Sequence, residues 1–596
     1  YDSKKKAFTL RALALSLSLA ILYTCINGYL GINFGMGFGF GAVTIVIAYA
    51  VLHRLFGGSS RSEISVILIS SSSLLTVHFI LGFLLYLIEN SPSVNLPYWL
   101  APPRDVVISK SLSLGYWVTP ISFIVLTQIF SSILGLIFSI ILSGEFLKSK
   151  RMIFPYTAIS ASLIDSCFKG GAAAKLVGYS AIIGLVVTIL QYSASFIGFN
   201  LTVIDLTPYL PEGFIFAISL SIAFAAVGYI ISAKVSLSLF ASGLITYLVI
   251  APFLVFNKVV EPSKNVMEFY NNLLFSFSIS PALGIMILGG FSLSALMIIK
   301  SKFSKVKKEP NSEDVSLGYL HLYKVLWRGL MGNKKYFILT LLVAFIIHAI
   351  AYFLNPFYPL PPIISLLFTM YSFFLGSFIE LVILTKMSGE AGMTMGMSSI
   401  ILYDLPIFST GYRGYTAYLA NSMLRPSPWV APGTICYIRY KDKFELSVKD
   451  IVKAKLIGWI PTLFASTVFT IIFWKYIGFG TPLMPAISLL QSKVYFQMLA
   501  TGNIVGTVDP ATFIAGGVIG AILELLTPIS MIGIAMGMLL PPHYIVPFGL
   551  GGLIRLYTDK KYGTKFFEEK GRLIATGIMT SSIIVQVIMS ILSSSI

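Results

Sequence analysis

Apolar runs of about twenty residues recur along nearly the whole chain, and nothing else in the sequence constrains the fold as strongly. A run of that length crosses the hydrocarbon of a bilayer as one helix. Inside hydrocarbon each backbone amide and carbonyl must be paired by the protein itself, which leaves helices as the ordinary solution. Charged residues make up 11% of the chain, where a soluble domain has about 25%. Mean hydropathy is +0.86. The expectation is an all-α polytopic membrane protein.

One apolar stretch cannot be a straight helix. In Gly533–Arg555, Pro541 and Pro542 remove two amide donors, and Pro547 repeats the problem. Gly533, Gly537, Gly549, Gly551 and Gly552 allow close backbone approach. Irregular backbone at membrane depth persists where protein buries it or where it lines a cavity. Broken helices of this kind point to the binding sites of transporters. Gly537, Pro541, Pro542, His543 and Tyr544 are therefore candidates for a substrate pathway. Gly35 and Gly39 join them, on a helix or unwound turn whose glycines recur at every second position through Gly41.

Expected spans in the first half run about 10–30, 33–52, 63–88, 117–143, 174–198, 212–232, 235–256 and 279–299. In the second half they run about 335–354, 362–386, 457–477, 510–527, 529–556 and 571–594, with shorter Gly- and Pro-rich segments between. The total is about sixteen membrane helices in two related halves, some broken or re-entrant. Residues 1–299 form the first half and 335–596 the second. Residues 300–334 form a basic cytoplasmic joint, whose end reads as an interfacial helix anchored by Trp327.

The formal charge of +18 suggests nucleic acid only until the basic residues are located. Lys and Arg sit in short loops between apolar runs, the positive-inside pattern, so they report topology and contact with lipid headgroups. The pattern places the N-terminus in the cytoplasm and the chain in the cell membrane as a multi-pass protein. The opening Lys4-Lys5-Lys6 and its apolar run read as a retained first helix. Cys25, Cys167 and Cys436 form no C-x-x-C pair, so neither a disulfide framework nor a zinc site is expected.

Ionisable groups within spans are costly and face a bundle interior or cavity. Glu380, Glu524, His78 and His348 are the candidates for proton coupling. Glu380, flanked by apolar residues on both sides, is the foremost; a structural carboxylate is the competing reading. His78 and His348 titrate in the useful range, although a lone histidine among apolar residues is more often a packing residue. No Walker A loop, H-E-x-x-H or G-x-S-x-G occurs, so an enzyme is not expected and no metal or cofactor is implied.

Several motifs resemble one family. The chain opens with Phe8-Thr-Leu-Arg-Ala12 and Asn27-Gly-Tyr-Leu-Gly31. Leu96-Pro-Tyr-Trp-Leu-Ala-Pro-Pro103, Arg151-Met-Ile-Phe-Pro155, Ser388-Gly-Glu-Ala-Gly-Met393 and the broken stretch at Gly533–Arg555 follow in order. Together they are similar to the oligopeptide transporter family, which includes the yellow-stripe-like metal-chelate transporters, and specifically to a prokaryotic branch of it. The resemblance implies about sixteen helices in two related halves, and secondary active, proton-coupled uptake of short peptides or metal chelates. The implied partners are that small-molecule substrate and membrane lipid; homo-oligomer formation stays open. The alternative from a different class is a non-transporting membrane scaffold subunit of a larger complex.

Overall fold

Helices carry the chain in a computed structural model that describes residues 7–34, 41–73, 75, 77–150, 152–169, 171–196, 203–288, 318–392, 394, 398–481, 484, 486–502, 509–527 and 529–593. Among the described residues, eight helices are long and apolar enough to cross a membrane. The strands among these residues are one antiparallel pair, Ile204–Asp205 with Ala217–Ile218. The chain is therefore a predominantly helical membrane protein, as its apolar runs require.

The first helix, α1 (Leu10–Phe34), is fixed at its start by charge. Both Arg11 Nε and Nη2 donate to Glu63 at 2.9 Å, and Thr9 Oγ1 donates to the same carboxylate at 2.7 Å. Glu63 belongs to α2 (Arg61–Ser71), which it also caps by a reciprocal box with Ser60. The opening Thr-Leu-Arg motif thus clips two helices together through one buried carboxylate.

The expected single span at 63–88 is instead two helices, α2 and α3 (Val77–Asn90). Serines end the first: Ser72 Oγ and Ser73 Oγ donate to the carbonyls of Leu68 and Ile69 at 2.6 and 2.5 Å. This local bonding competes with the helical ladder. His78 N–H, at the start of α3, donates to Ser466 Oγ at 2.7 Å, and Leu75 N–H reaches Thr462 Oγ1 at 3.4 Å.

Next come α4 (Leu114–Lys148) and α5 (Gly171–Phe196), at nearly the expected positions. The expected span at 212–232 is not a single helix. Its first part is extended, and only α6 (Ile222–Ile230) is helical. The cause is bonding to neighbours: Ile215 N–H goes to the Tyr247 carbonyl at 3.3 Å and Ser219 N–H to the His543 carbonyl at 2.9 Å. A full crossing follows as α7 (Ala233–Ile245), continued by a π turn and Ala251–Phe256. α8 (Val266–Leu273) opens the next crossing.

The joint at 300–334 lies outside the described residues up to 317. Its end is α9 (Tyr319–Gly332), whose buried Tyr319, Leu322, Leu326 and Leu330 form one stripe. Trp327 stacks on Phe374 at 5.8 Å. The second half continues with α10 (Lys334–Leu354), α11 (Ser377–Ala391), α12 (Val448–Ile472), α13 (Met531–Leu539), α14 (Pro542–Tyr562) and α15 (Arg572–Ser593).

Helices of the two halves pack against each other throughout. α12 lies against α1, α2 and α3; α13 and α14 lie against α7; α14 also lies against α6; and α15 lies against α5. The basic loops gather at one end. Arg61 pairs with Asp165 at 3.1 Å and Glu445 at 3.7 Å, Arg439 Nη1 donates to the Leu147 carbonyl, and His321 meets Glu145 at 3.2 Å. Arg439, Arg555 and Arg572 line one cavity at this end. Single cysteines at Gly57, Lys324 and Lys560, introduced after the three native cysteines are removed, are expected to react with an impermeant thiol reagent from the same side. Opposite labelling of any one would refute a common face.

Candidate functional site

Two Pro residues end α13 as the sequence requires, since neither can supply the amide that the preceding turn needs. Leu540 N–H still reaches the Met536 carbonyl at 2.9 Å, and the chain then turns at Pro541 before α14 begins at Pro542. The two missing amides would have served the Gly537 and Met538 carbonyls, and the end of α13 opens two more, those of Leu539 and Leu540. Tyr270 OH donates to the Leu539 carbonyl at 2.6 Å and Tyr247 OH to the Leu540 carbonyl at 2.5 Å. Ser242 Oγ adds a bond to the Ile534 carbonyl at 2.7 Å. At the Leu539 and Leu540 carbonyls, protein hydroxyls therefore occupy the positions that water or substrate could otherwise take.

Packing closes the rest of the break. Met536, Met538 and His543 are buried, and the His543 and Tyr544 rings meet at 4.0 Å. A Cβ on Gly537 would run into the Leu239 carbonyl, so glycine is what lets α13 lie on α7. His543 Nδ1 is buried with no hydrogen-bond partner among the described residues. Pro547 does not break α14. The amide it lacks would have served the His543 carbonyl, and Ser219 N–H serves it instead.

The densest buried charge lies elsewhere, around Glu380 on α11. This carboxylate is 1% exposed and forms an ion pair with Arg425, which is 5% exposed. Tyr403 OH donates to Glu380 Oε2 at 2.9 Å and Ser398 Oγ to Oε1 at 3.4 Å. The Arg425 guanidinium lies 3.7 Å above the Tyr403 ring centroid, while its Nε is buried without a partner among the described residues. Asp404, the next residue, is also buried and accepts from Tyr495 OH at 2.7 Å. Its charge interacts with Arg425 and Glu380. Ionised together, these three groups leave one negative charge in excess.

Backbone irregularity surrounds this cluster. A π turn, Ser372–Gly376, leads directly into α11, and a second, Ile400–Asp404, ends on the buried aspartate. Such turns occur often at functional sites because they shift side chains out of helical register. Gly376 makes room for the Tyr403 ring, where a Cβ would collide.

The remaining candidates are dispersed. His78 is buried, with Nδ1 3.3 Å from Ser466 Oγ. A Cβ on Gly31 would lie 3.3 Å from His78 Nε2, which gives the Asn27–Gly31 motif a packing role. His348 Nδ1 meets the Ala344 carbonyl of its own helix at 2.6 Å, and its ring packs on Phe373 and Phe374. Glu524 is on the helix Pro510–Leu526, but its side chain lies outside the described residues, as do Gly35 and Gly39. Sequence reasoning singled out Glu380, yet it missed Arg425, Tyr403 and Tyr495. Arg425 stands between Leu424 and Pro426 in a Pro-rich stretch that does not read as a span.

Removing the hydroxyl in Tyr247→Phe or Tyr270→Phe leaves a buried carbonyl unpaired and is expected to cost about 1–3 kcal/mol each. Unfolding of the purified protein in detergent measures this, and unchanged stability in both would mean that water already reaches the break. Searched against family models and against curated proteins, the chain matches none.

Proposed function

We propose that this chain is a secondary active transporter coupled to a proton, with the Glu380–Arg425–Tyr403–Asp404–Tyr495 network as its coupling element. The observation that carries the reading is the unequal charge: two buried carboxylates against one buried guanidinium, in an apolar bundle. A membrane protein retains such groups at a cost, and by default they mark ion or proton pathways. One proton on the cluster removes the excess charge. Asp404, held by a neutral phenol rather than by a cation at hydrogen-bond distance, is the natural acceptor. Glu380 is then the fixed partner of Arg425. The motif resemblance supplies the rest of the proposal: sixteen helices in two related halves, a cytoplasmic N-terminus, and uptake of short peptides or metal chelates.

A second reading, a non-transporting scaffold subunit, is favoured by one observation. The break at Pro541–Pro542 is filled by tyrosines and packed side chains. A transporter must open that region or another in part of its cycle, whereas a scaffold need not.

Uptake into proteoliposomes under an imposed pH gradient, with a panel of short peptides and metal chelates, separates the two. Wild type is expected to show gradient-driven uptake. Asp404→Asn is expected to fold and to lose the dependence on the gradient. Arg425→Leu alone strands a buried charge and should cost about 3–5 kcal/mol. The double variant Glu380→Leu, Arg425→Leu should recover most of that stability, as buried pairs replaced by packed apolar groups do. Normal gradient-driven uptake in Asp404→Asn would remove this residue from the coupling. No uptake by wild type across the panel would favour the scaffold.

A further inference from the structure

At the end of the molecule where the basic loops meet, three arginines from three separate elements line one cavity of about 450 Å³. Arg439 ends the helix Pro432–Arg439, Arg555 is on α14, and Arg572 opens α15. Arg555 Nε is bonded to Asp559 at 2.7 Å, and its guanidinium stacks 3.1 Å from the Phe567 ring centroid. Arg572 lies 5.2 Å from the same centroid, and its Nε is buried with no partner among the described residues. Arg439 spends one nitrogen on the Leu147 carbonyl. Among the described residues one carboxylate, Asp559, is bonded to the trio, and one carboxylate does not balance three guanidinium groups.

The other polar lining has the same sign. Ser232 and Ala233 are the N-cap and first residue of α7, and no side chain caps that helix end. Free amides at a helix start carry partial positive charge and bind anions. Thr564 also lines the cavity. Planar guanidinium forks held by aromatic stacking are matched to phosphate oxygens rather than to a point charge. The volume is that of a small-molecule site rather than of a single water.

We infer that this cavity is a binding site for a phosphate-bearing anion, separate from the buried Glu380 cluster. The anion would sit between Arg439, Arg555 and Arg572, with the start of α7 as a fourth, backbone contribution. Two sources share this chemistry: a phospholipid headgroup entering from the bilayer, and a soluble phosphate compound.

The full chain in phosphatidylcholine nanodiscs, titrated with pyrophosphate, tests the soluble source. Discs doped with phosphatidylglycerol or phosphatidylinositol 4-phosphate test the lipid source. Thermal midpoint and native mass spectrometry report binding. A saturable stabilisation is expected in at least one arm, and the responding arm identifies the source. Arg439→Ala with Arg572→Ala should weaken it by ten-fold or more, about 1.4 kcal/mol. Ser232→Asp guards against a folding artefact, since an aspartate N-cap favours α7 while placing negative charge in the cavity. That variant should be at least as stable as wild type and should not respond. No response in either arm, or wild-type binding by both variants, overturns the assignment.

Discussion

A helix that ends inside an apolar bundle leaves its terminal amides or carbonyls without partners, and no water is at hand to take them. Among the described residues, two internal helix ends show how such groups are satisfied. Between α2 and α3 the open groups are donors, the amides of Leu75 and His78, and α12 supplies acceptors through Thr462 and Ser466. Between α13 and α14 the open groups are acceptors, and Tyr270 and Tyr247 supply donors to two of them, the carbonyls of Leu539 and Leu540. Each break lies in one half of the chain. The first is served from the other half, and so is the second. The interleaving of α12 with α1 to α3, and of α7 with α13 and α14, is the spatial form of that exchange.

Charge is handled by the same rule at higher stakes. The Arg11–Glu63 clip and the Arg425–Glu380 pair both place a guanidinium against a carboxylate, but their surroundings differ. Arg11 retains 30% of its side-chain exposure and can be rehydrated; Arg425 retains 7%. Beside Arg425 the bonding is also incomplete, with Nε open and a second carboxylate nearby. One π turn leads into the helix that carries Glu380, and another ends on Asp404.

How much of this is visible in a linear sequence depends on whether the cause is local. Pro541 and Pro542 carry their break in their own rings, so the end of α13 is legible from the residues alone. The break after α2 has no such mark. Serines permit it, but its amides are paired by residues nearly four hundred positions away, so 63–88 reads as one apolar span. The same holds for 212–232, whose composition suits a helix while its amides bond to α7's continuation and α14. At the buried cluster, Glu380 is legible because a carboxylate within an apolar run has no bland surroundings. Its cation is not, because it lies 45 residues further along the chain, at the start of a Pro-rich stretch.

Pro547 gives a proline a constructive part. By withholding an amide it leaves the His543 carbonyl as an open socket on the side of an otherwise continuous helix, and Ser219 plugs into it. Any other residue at 547 would fill that socket from within α14. The extended segment around 217–219 would then lose its anchor, together with the reason its own amides stay out of a helix. The missing hydrogen bond is thus an address, written in one helix and read by another segment more than three hundred residues earlier in the chain.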